Sequence, residues 1–375
     1  MRRARPPAFT SLLVVAVLGV ALALAPAPGR ADDLVAVHGA YFREASTRVV
    51  QPLLEIAKDL PDGFHVNAHF LVDAITSASV AAGTTQDNIF TELRKEAGVG
   101  VGKSFGRTDV ELGYRQSREP DYISHSVGLR LLAAVWDNTG SISFTAAQTH
   151  DTVGPNLNRS LDVYFGGLLY TQALSPTLRG QLGYEAAYLR GYQGNPYLQV
   201  PNLGRENPPD DRLRHAAVAR LAYYIPQIRM GLQAHYRFYW DQALQIAPPD
   251  PWHLTAHTFE GRIYLQVSRN LEARLAYRFY SQGAAAFWRN TDPSRGGATD
   301  AYGLAPIYYS ADVKLGPGAT HMPELKLVWQ ARALSGLPVL DWLADGAFDL
   351  SYARYIQNTR YGDAHLLQTG YILPF

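Results

Sequence analysis

Cysteine is absent from this chain. That excludes disulfide scaffolding and thiolate metal sites. Charge of one sign is also lacking, with 34 Lys and Arg against 33 Asp and Glu. A net charge of +1 argues against nucleic acid or another polyanion as partner, which requires a clustered basic face. Beyond residue 31 there is no apolar run of the roughly 20 residues that a membrane-spanning helix needs. No Pro/Ser linker divides the chain, and no polar tail follows Phe375.

What is present begins with an export signal. Arg2, Arg3 and Arg5 precede an apolar core at 12–24, and Gly29, Arg30 and Ala31 offer a cleavage site before Asp32. Ala25, Pro26 and Ala27 offer a competing site. The apolar run is too short for an anchor, so residues 1–31 are expected to be a cleaved signal peptide and 32–375 one domain.

That domain alternates with the period of two that sends successive strand side chains to opposite faces. Ile228, Met230, Leu232, Ala234, Tyr236, Phe238 and Trp240 share one face. Opposite them lie Arg229, Gly231, Gln233, His235, Arg237, Tyr239 and Asp241. A helical period would scatter both sets. Similar segments recur around residues 109–115, 178–188, 259–267, 271–279 and 324–332. A soluble sandwich also alternates, but these runs exceed its usual five or six residues and end in aromatics, as in membrane girdles.

Connection lengths differ between the two ends. Tight turns fall at 61–63, 105–107, 137–140, 175–176, 226–227 and 269–270. Mostly longer polar joins fall at 76–88, 150–159, 192–211, 243–252 and 282–302, with 119–121 the short exception. Short turns on one side and long loops on the other are the outer-membrane arrangement. The fold class is therefore all-β: a single closed antiparallel transmembrane β-barrel of about 16 strands, with 14 and 18 as alternatives. The count requires 308–318 to be an excursion on the loop side and 335–346 a longer connection on the turn side.

The last eight residues fit this reading. Tyr371, Leu373 and Phe375 alternate with Ile372 and Pro374. The segment resembles the C-terminal assembly signal of Gram-negative outer-membrane β-barrels, with Gln368, Gly370, Leu373 and Phe375 at the matching positions. The resemblance implies outer-membrane lipid and the barrel-assembly machinery as partners. Tyr41 to Glu44, Leu71 to Ser79, Tyr308 to Asp312 and Phe375 further resemble one outer-membrane barrel family known only as a domain of unknown function. That family implies fold and location without an activity. Some members look to be encoded beside flavin-transfer and thioredoxin-like proteins, which implies a link to periplasmic redox or flavin maturation.

The inward face is expected to present Arg94, Glu96, Glu111, Arg115, Arg130, Arg179, Glu185, Arg220, Arg229, Arg237, Glu260, Arg262, Glu272, Arg274 and Arg278. Glu92, Asp109, Asp162, Arg214 and Asp241 belong to the same expectation. Such charges either pair across the wall and fill the barrel or line a hydrated pore. Nine acids against eleven bases imply little charge selectivity, with a mild bias toward anions. Gly98, Gly100 and Gly102 alternate with Val99 and Val101, which reads as room for a bulky inward neighbour. His65 and His69 share a face but sit roughly 13 Å apart along a strand, too far to share one metal ion. No cofactor is implied.

Ser124 with His125, His150 with Asp151, and Asp312 form no nucleophile–base–orienter set, so no catalytic residues are assigned. The functional expectation is a porin-like channel for small hydrophilic solutes, monomeric or trimeric. A closed barrel acting as scaffold or redox partner is the alternative, and an outer-membrane hydrolase ranks third.

Overall fold

The computed structural model describes residues 33–45, 47–78, 89–200, 203–244, 250–289, 308–359 and 361–375. The expected signal peptide lies outside the described residues, as do 79–88 and 290–307 of the expected loops. Strands run in chain order as β1 (Leu34–Arg43), β2 (Thr47–Asp59), β3 (Phe64–Ala78), β4 (Ile89–Phe105), β5 (Thr108–Glu119) and β6 (Tyr122–Val135). Then follow β7 (Gly140–Val153), β8 (Arg159–Ala173), β9 (Leu178–Gly191), β10 (Gln199–Val200), β11 (Gly204–Arg205) and β12 (Asp211–Ile225). The last six are β13 (Met230–Gln242), β14 (Thr255–Gln266), β15 (Leu271–Gln282), β16 (Gly318–Gln330), β17 (Ala347–Gln357) and β18 (Ala364–Pro374).

All except β10 and β11 join one closed antiparallel sheet in which each strand pairs with its neighbour and β18 closes on β1. Sixteen strands therefore form the barrel, and β10–β11 is a small hairpin within the β9–β12 loop. The seam pairs Leu34 with Pro374 through Arg43 with His365. Closure satisfies every edge that an open sheet would leave unpaired, a requirement inside hydrocarbon. Among the described residues no helix is long and apolar enough to cross a membrane.

The turn end is tight because its residues accept left-handed backbone. Asp62 and Gly63 have φ of 61° and 76°, Gly106 61°, and Trp136, Asp137 and Asn138 lie between 51° and 67°. The exception is the β16–β17 connection, which carries short 3-10 turns at Ala331–Leu334 and Asp341–Leu343.

The outward face is apolar and exposed, for example Leu112 at 59 %, Leu182 at 64 % and Phe259 at 51 %. Near the loop end this face carries a repeated polar pair. A tyrosine on the strand entering a loop bonds, through its hydroxyl, Nδ1 of a histidine on the strand leaving it. The pairs are Tyr114–His125 (2.8 Å), Tyr184–His215 (2.6 Å), Tyr236–His257 (2.8 Å), Tyr277–His321 (2.6 Å) and Tyr352–His365 (2.7 Å). In every case the histidine stands two residues before the one directly opposite the tyrosine. Amphipathic rings of this kind suit the boundary between hydrocarbon and water.

Candidate functional site: the barrel interior and its mouth

The candidate site is the inner face, and the register fixes who stands on it. On β4 and β5, Glu96 faces Ser117, while Gly98, Gly100 and Gly102 face Arg115, Gly113 and Glu111. On the other side the three glycines lie opposite His69, Asn67 and His65. A Cβ on Gly98 or Gly102 would overlap the His69 or His65 ring, and one on Gly100 would lie 2.7 Å from the Asn67 amide. The glycine strip is thus a bed for three polar side chains. These reach across it to separate carboxylates: His65 to Asp109 at 3.7 Å, Asn67 to Glu111 at 2.7 Å and His69 to Glu96 at 3.3 Å. Arg115 and Arg130 approach Glu96 and Glu111, each at 3.7 Å. Arg94 pairs with buried Asp73 at 2.5 Å, and Gln51 donates to the same carboxylate.

Across the barrel the inner face differs in sign. Arg179 and Glu185 of β9 lead into Arg220 of β12, Arg237 of β13, Glu260 and Arg262 of β14, and Glu272, Arg274 and Arg278 of β15. Arg237 lies 3.6 Å from Glu185, and Arg262 and Arg274 pair with Glu260 and Glu272 along their own strands. Several of these residues line a cavity of about 520 Å³ with Tyr280.

Counting inward positions shows a segregation hidden by the neutral composition. Strands β2–β5 present Glu55, Asp59, Asp73, Glu92, Glu96, Asp109, Glu111 and Glu119 against Arg94 and Arg115. Strands β12–β15 present Arg212, Arg214, Arg220, Arg237, Arg262, Arg274 and Arg278 against Asp241, Glu260 and Glu272. The two groups sit half the circuit apart in the barrel order, so an acidic wall confronts a basic one. Sequence balance alone could not show this, because it depends on which strands oppose which.

Two expectations require correction. Arg229 is not on the inner wall: it caps the Pro226–Ile228 turn in left-handed backbone (φ 48°) and is exposed. Asp162 faces outward, where it meets His150 at 2.7 Å. Ser124 and His125, like His150 and Asp151, are split by the wall, since consecutive strand residues point to opposite sides. Ser124 and Asp151 pair inward; His125 and His150 pair outward. Among the described residues no group of three or more His, Asp or Glu is placed to hold a metal ion.

The loop end carries what the sequence did not reveal. Trp252, Leu254, Ala285 and Phe287 form a buried apolar cluster, packed by Tyr239, Trp288, Tyr308 and Leu315. Its base is polar and tied to the wall. Arg212 pairs with Asp241, which accepts from the Leu254 amide at 2.9 Å, and the Arg212 guanidinium stacks 3.9 Å over Trp252. Glu206 links two loops by accepting from the Asn195 amide and the Ser310 hydroxyl. Burial holds its carboxyl above the usual range, at about 6, against those two hydrogen bonds. Tyr197 extends the β9–β12 loop to Asp121 in the β5–β6 turn. Asp312, Val313 and Lys314 then share a cavity of about 900 Å³ with Phe42, Ile75, Glu92 and Tyr355 of the facing wall. The loops therefore reach over the mouth rather than standing away from it.

At the seam, Gln368 and Gly370 face inward, while Tyr371, Leu373 and Phe375 take the outward set. The Phe375 amide donates to the Asp33 carbonyl at 3.1 Å, and Lys58 lies over its ring.

The fold is shared with solved outer-membrane proteins. A bacterial polysaccharide outer membrane secretin superposes with TM-score 0.52 at 9% identity, covering 92% of this chain and 98% of that one. CdiB from Acinetobacter baumannii gives TM-score 0.50 at 10% identity, covering 91% of this chain and 60% of that one. OpdK from Pseudomonas aeruginosa, solved with vanillate, gives 0.46 at 9% identity, with 91% and 98% covered. No curated protein matches the chain. Tyr308 to Asp312, one of the segments behind the family resemblance, lies inside the stretch that matches a family model. Residues 162–336 match the family described as Protein of unknown function (DUF3570), and the chain around them completes a sixteen-stranded barrel of the outer-membrane type.

Proposed function

We propose that the chain is an outer-membrane channel for small hydrophilic solutes, with the turn end toward the periplasm and the linked loops outside. The observation that carries this reading is the inner face itself, an acidic wall opposed by a basic one around cavities lined by polar and charged side chains. Rings of fixed charge bordering a water-filled lumen attract and orient polar solutes while giving apolar ones nothing. Sixteen strands enclose enough width for an aqueous path. Net neutrality with separated signs favours solutes that are themselves dipolar. The seam strand ending in Phe375 serves assembly under the same reading.

A second reading rests on the mouth. The Glu206–Ser310 and Tyr197–Asp121 links favour a barrel closed at rest and used as a scaffold. Planar-bilayer recording separates the two. The channel reading expects discrete openings from the refolded wild type, enlarged when residues 308–316 are replaced by a short Gly/Ser link. A silent wild type with a conducting loop variant selects the closed barrel. Silence from both removes passage altogether.

A further inference from the structure

The outward face changes its chemistry abruptly at the seam. There, four successive strands present a basic side chain in a single lateral row: Arg354 of β17, His365 of β18, Arg43 of β1 and Arg48 of β2. Each is directly opposite the next, Arg354 with His365, His365 with Arg43, and Arg43 with Arg48. All four are exposed. Arg354 has a partner, Asp363 at 2.8 Å. Neither Arg43 nor Arg48 forms an ion pair among the described residues.

Immediately beneath this row, two residues further from the loop end, the same strands present Tyr352, Leu367, Tyr41 and Val50 in matching register. Tyr352, Leu367 and Val50 are 46 %, 45 % and 41 % exposed. The next row down is small at its centre, Thr369, Gly39 and Pro52, with Leu350 beside it. A row of large apolar side chains, with a shallow dip below it, thus lies directly beneath a line of basic groups. Unpaired guanidinium groups beside hydrocarbon are unfavourable unless an anion meets them.

The geometry points to one occupant: we infer that this seam face binds a phosphorylated glycolipid of the outer leaflet, its phosphates on Arg43, Arg48 and Arg354 and its acyl chains against the apolar rows beneath. Adjacent strands lie about 4.8 Å apart, so the four basic groups span roughly 15 Å. A single phosphate cannot bridge that width, whereas a sugar headgroup bearing two can. Guanidinium forks match phosphate oxygens in pairs, and His365, held by Tyr352, adds a donor in the same line. The inference rests on outer-membrane placement but not on passage through the lumen.

Native mass spectrometry of the detergent-purified full-length protein tests it, with diphosphoryl lipid A, its dephosphorylated form and inorganic phosphate as probes. Wild type is expected to retain diphosphoryl lipid A about tenfold more than the dephosphorylated form. The triple variant R43A/R48A/R354A should lose that preference, and R43K/R48K/R354K should keep most of it. Inorganic phosphate at millimolar concentration should not displace the lipid. Equal retention of the two lipids by wild type overturns the inference, as does unchanged preference in the folded triple alanine variant. Displacement by inorganic phosphate alone would reduce the row to a simple anion site and overturn the lipid assignment. If the alanine variant does not fold, the wild-type comparison of the two lipids decides. None of these readouts involves conductance, so failure here and failure of the channel are separate results.

Discussion

At the scale of single residues, the glycine strip of β4 is the most constrained feature of the wall. His69 is held over Gly98 by Glu96, so a methyl group at position 98 must push the ring off that carboxylate. Gly98→Ala is expected to destabilise the barrel by about 1–3 kcal/mol, the usual range for overpacking. Adding His69→Ala should recover most of the loss, because the two changes share one contact. The temperature at which the folded gel band converts to the unfolded one reads both variants. A Gly98→Ala protein as heat-resistant as wild type would mean the ring moves freely. The alternation of Gly98, Val99, Gly100, Val101 and Gly102 announced that something bulky needed space. It could not name His65, Asn67 and His69, since the match between two strands is a property of register rather than of either sequence. Arg229 departs from its expected place for a related reason: the alternation of β13 continues backward through it, but the chain has already bent into left-handed backbone there.

At the scale of elements, the loops decide how the mouth behaves, and Glu206 is their titratable joint. Its folded pKa, about 6, lies above the ordinary value of 4.5. The folded loops therefore hold the proton more tightly than the open chain does, and their stability is full below about pH 4.5. It is lost as pH rises through about 6, by about 2 kcal/mol in all. Hydrogen exchange of the 308–316 amides should accelerate across that window in wild type and stay flat in Glu206→Gln. An identical pH response in both would place the titration elsewhere. Strands were legible because alternation over ten or more residues is a strong signal, and the tight turns because Asp62, Gly63 and Gly106 suit positive φ. The loop cluster was not legible. Trp252, Leu254, Phe287 and Trp288 are apolar residues in stretches without periodicity, and two separate loops must meet before they have anything to pack on.

At the scale of the whole molecule, the opposed walls make a testable statement about ions. Replacing Arg220, Arg237 and Arg278 by Ala removes three charges from the basic side and leaves the acidic side untouched. The reversal potential in a KCl gradient should then move toward cation preference, while Glu96→Gln with Glu111→Gln should move it the other way. Shifts of the same sign in both variants would show that the walls do not act as separate surfaces. Composition reported only the sum of these charges. The barrel order was needed to place them across from one another, which explains why near neutrality was read as indifference. The tyrosine–histidine pairs add a last consequence. Because the same diagonal offset recurs on five up-and-down pairs, each carries its own levelling mark. The height of one hairpin against the bilayer is set within that hairpin, so a circumference built this way gains or loses a whole unit without tilting the others.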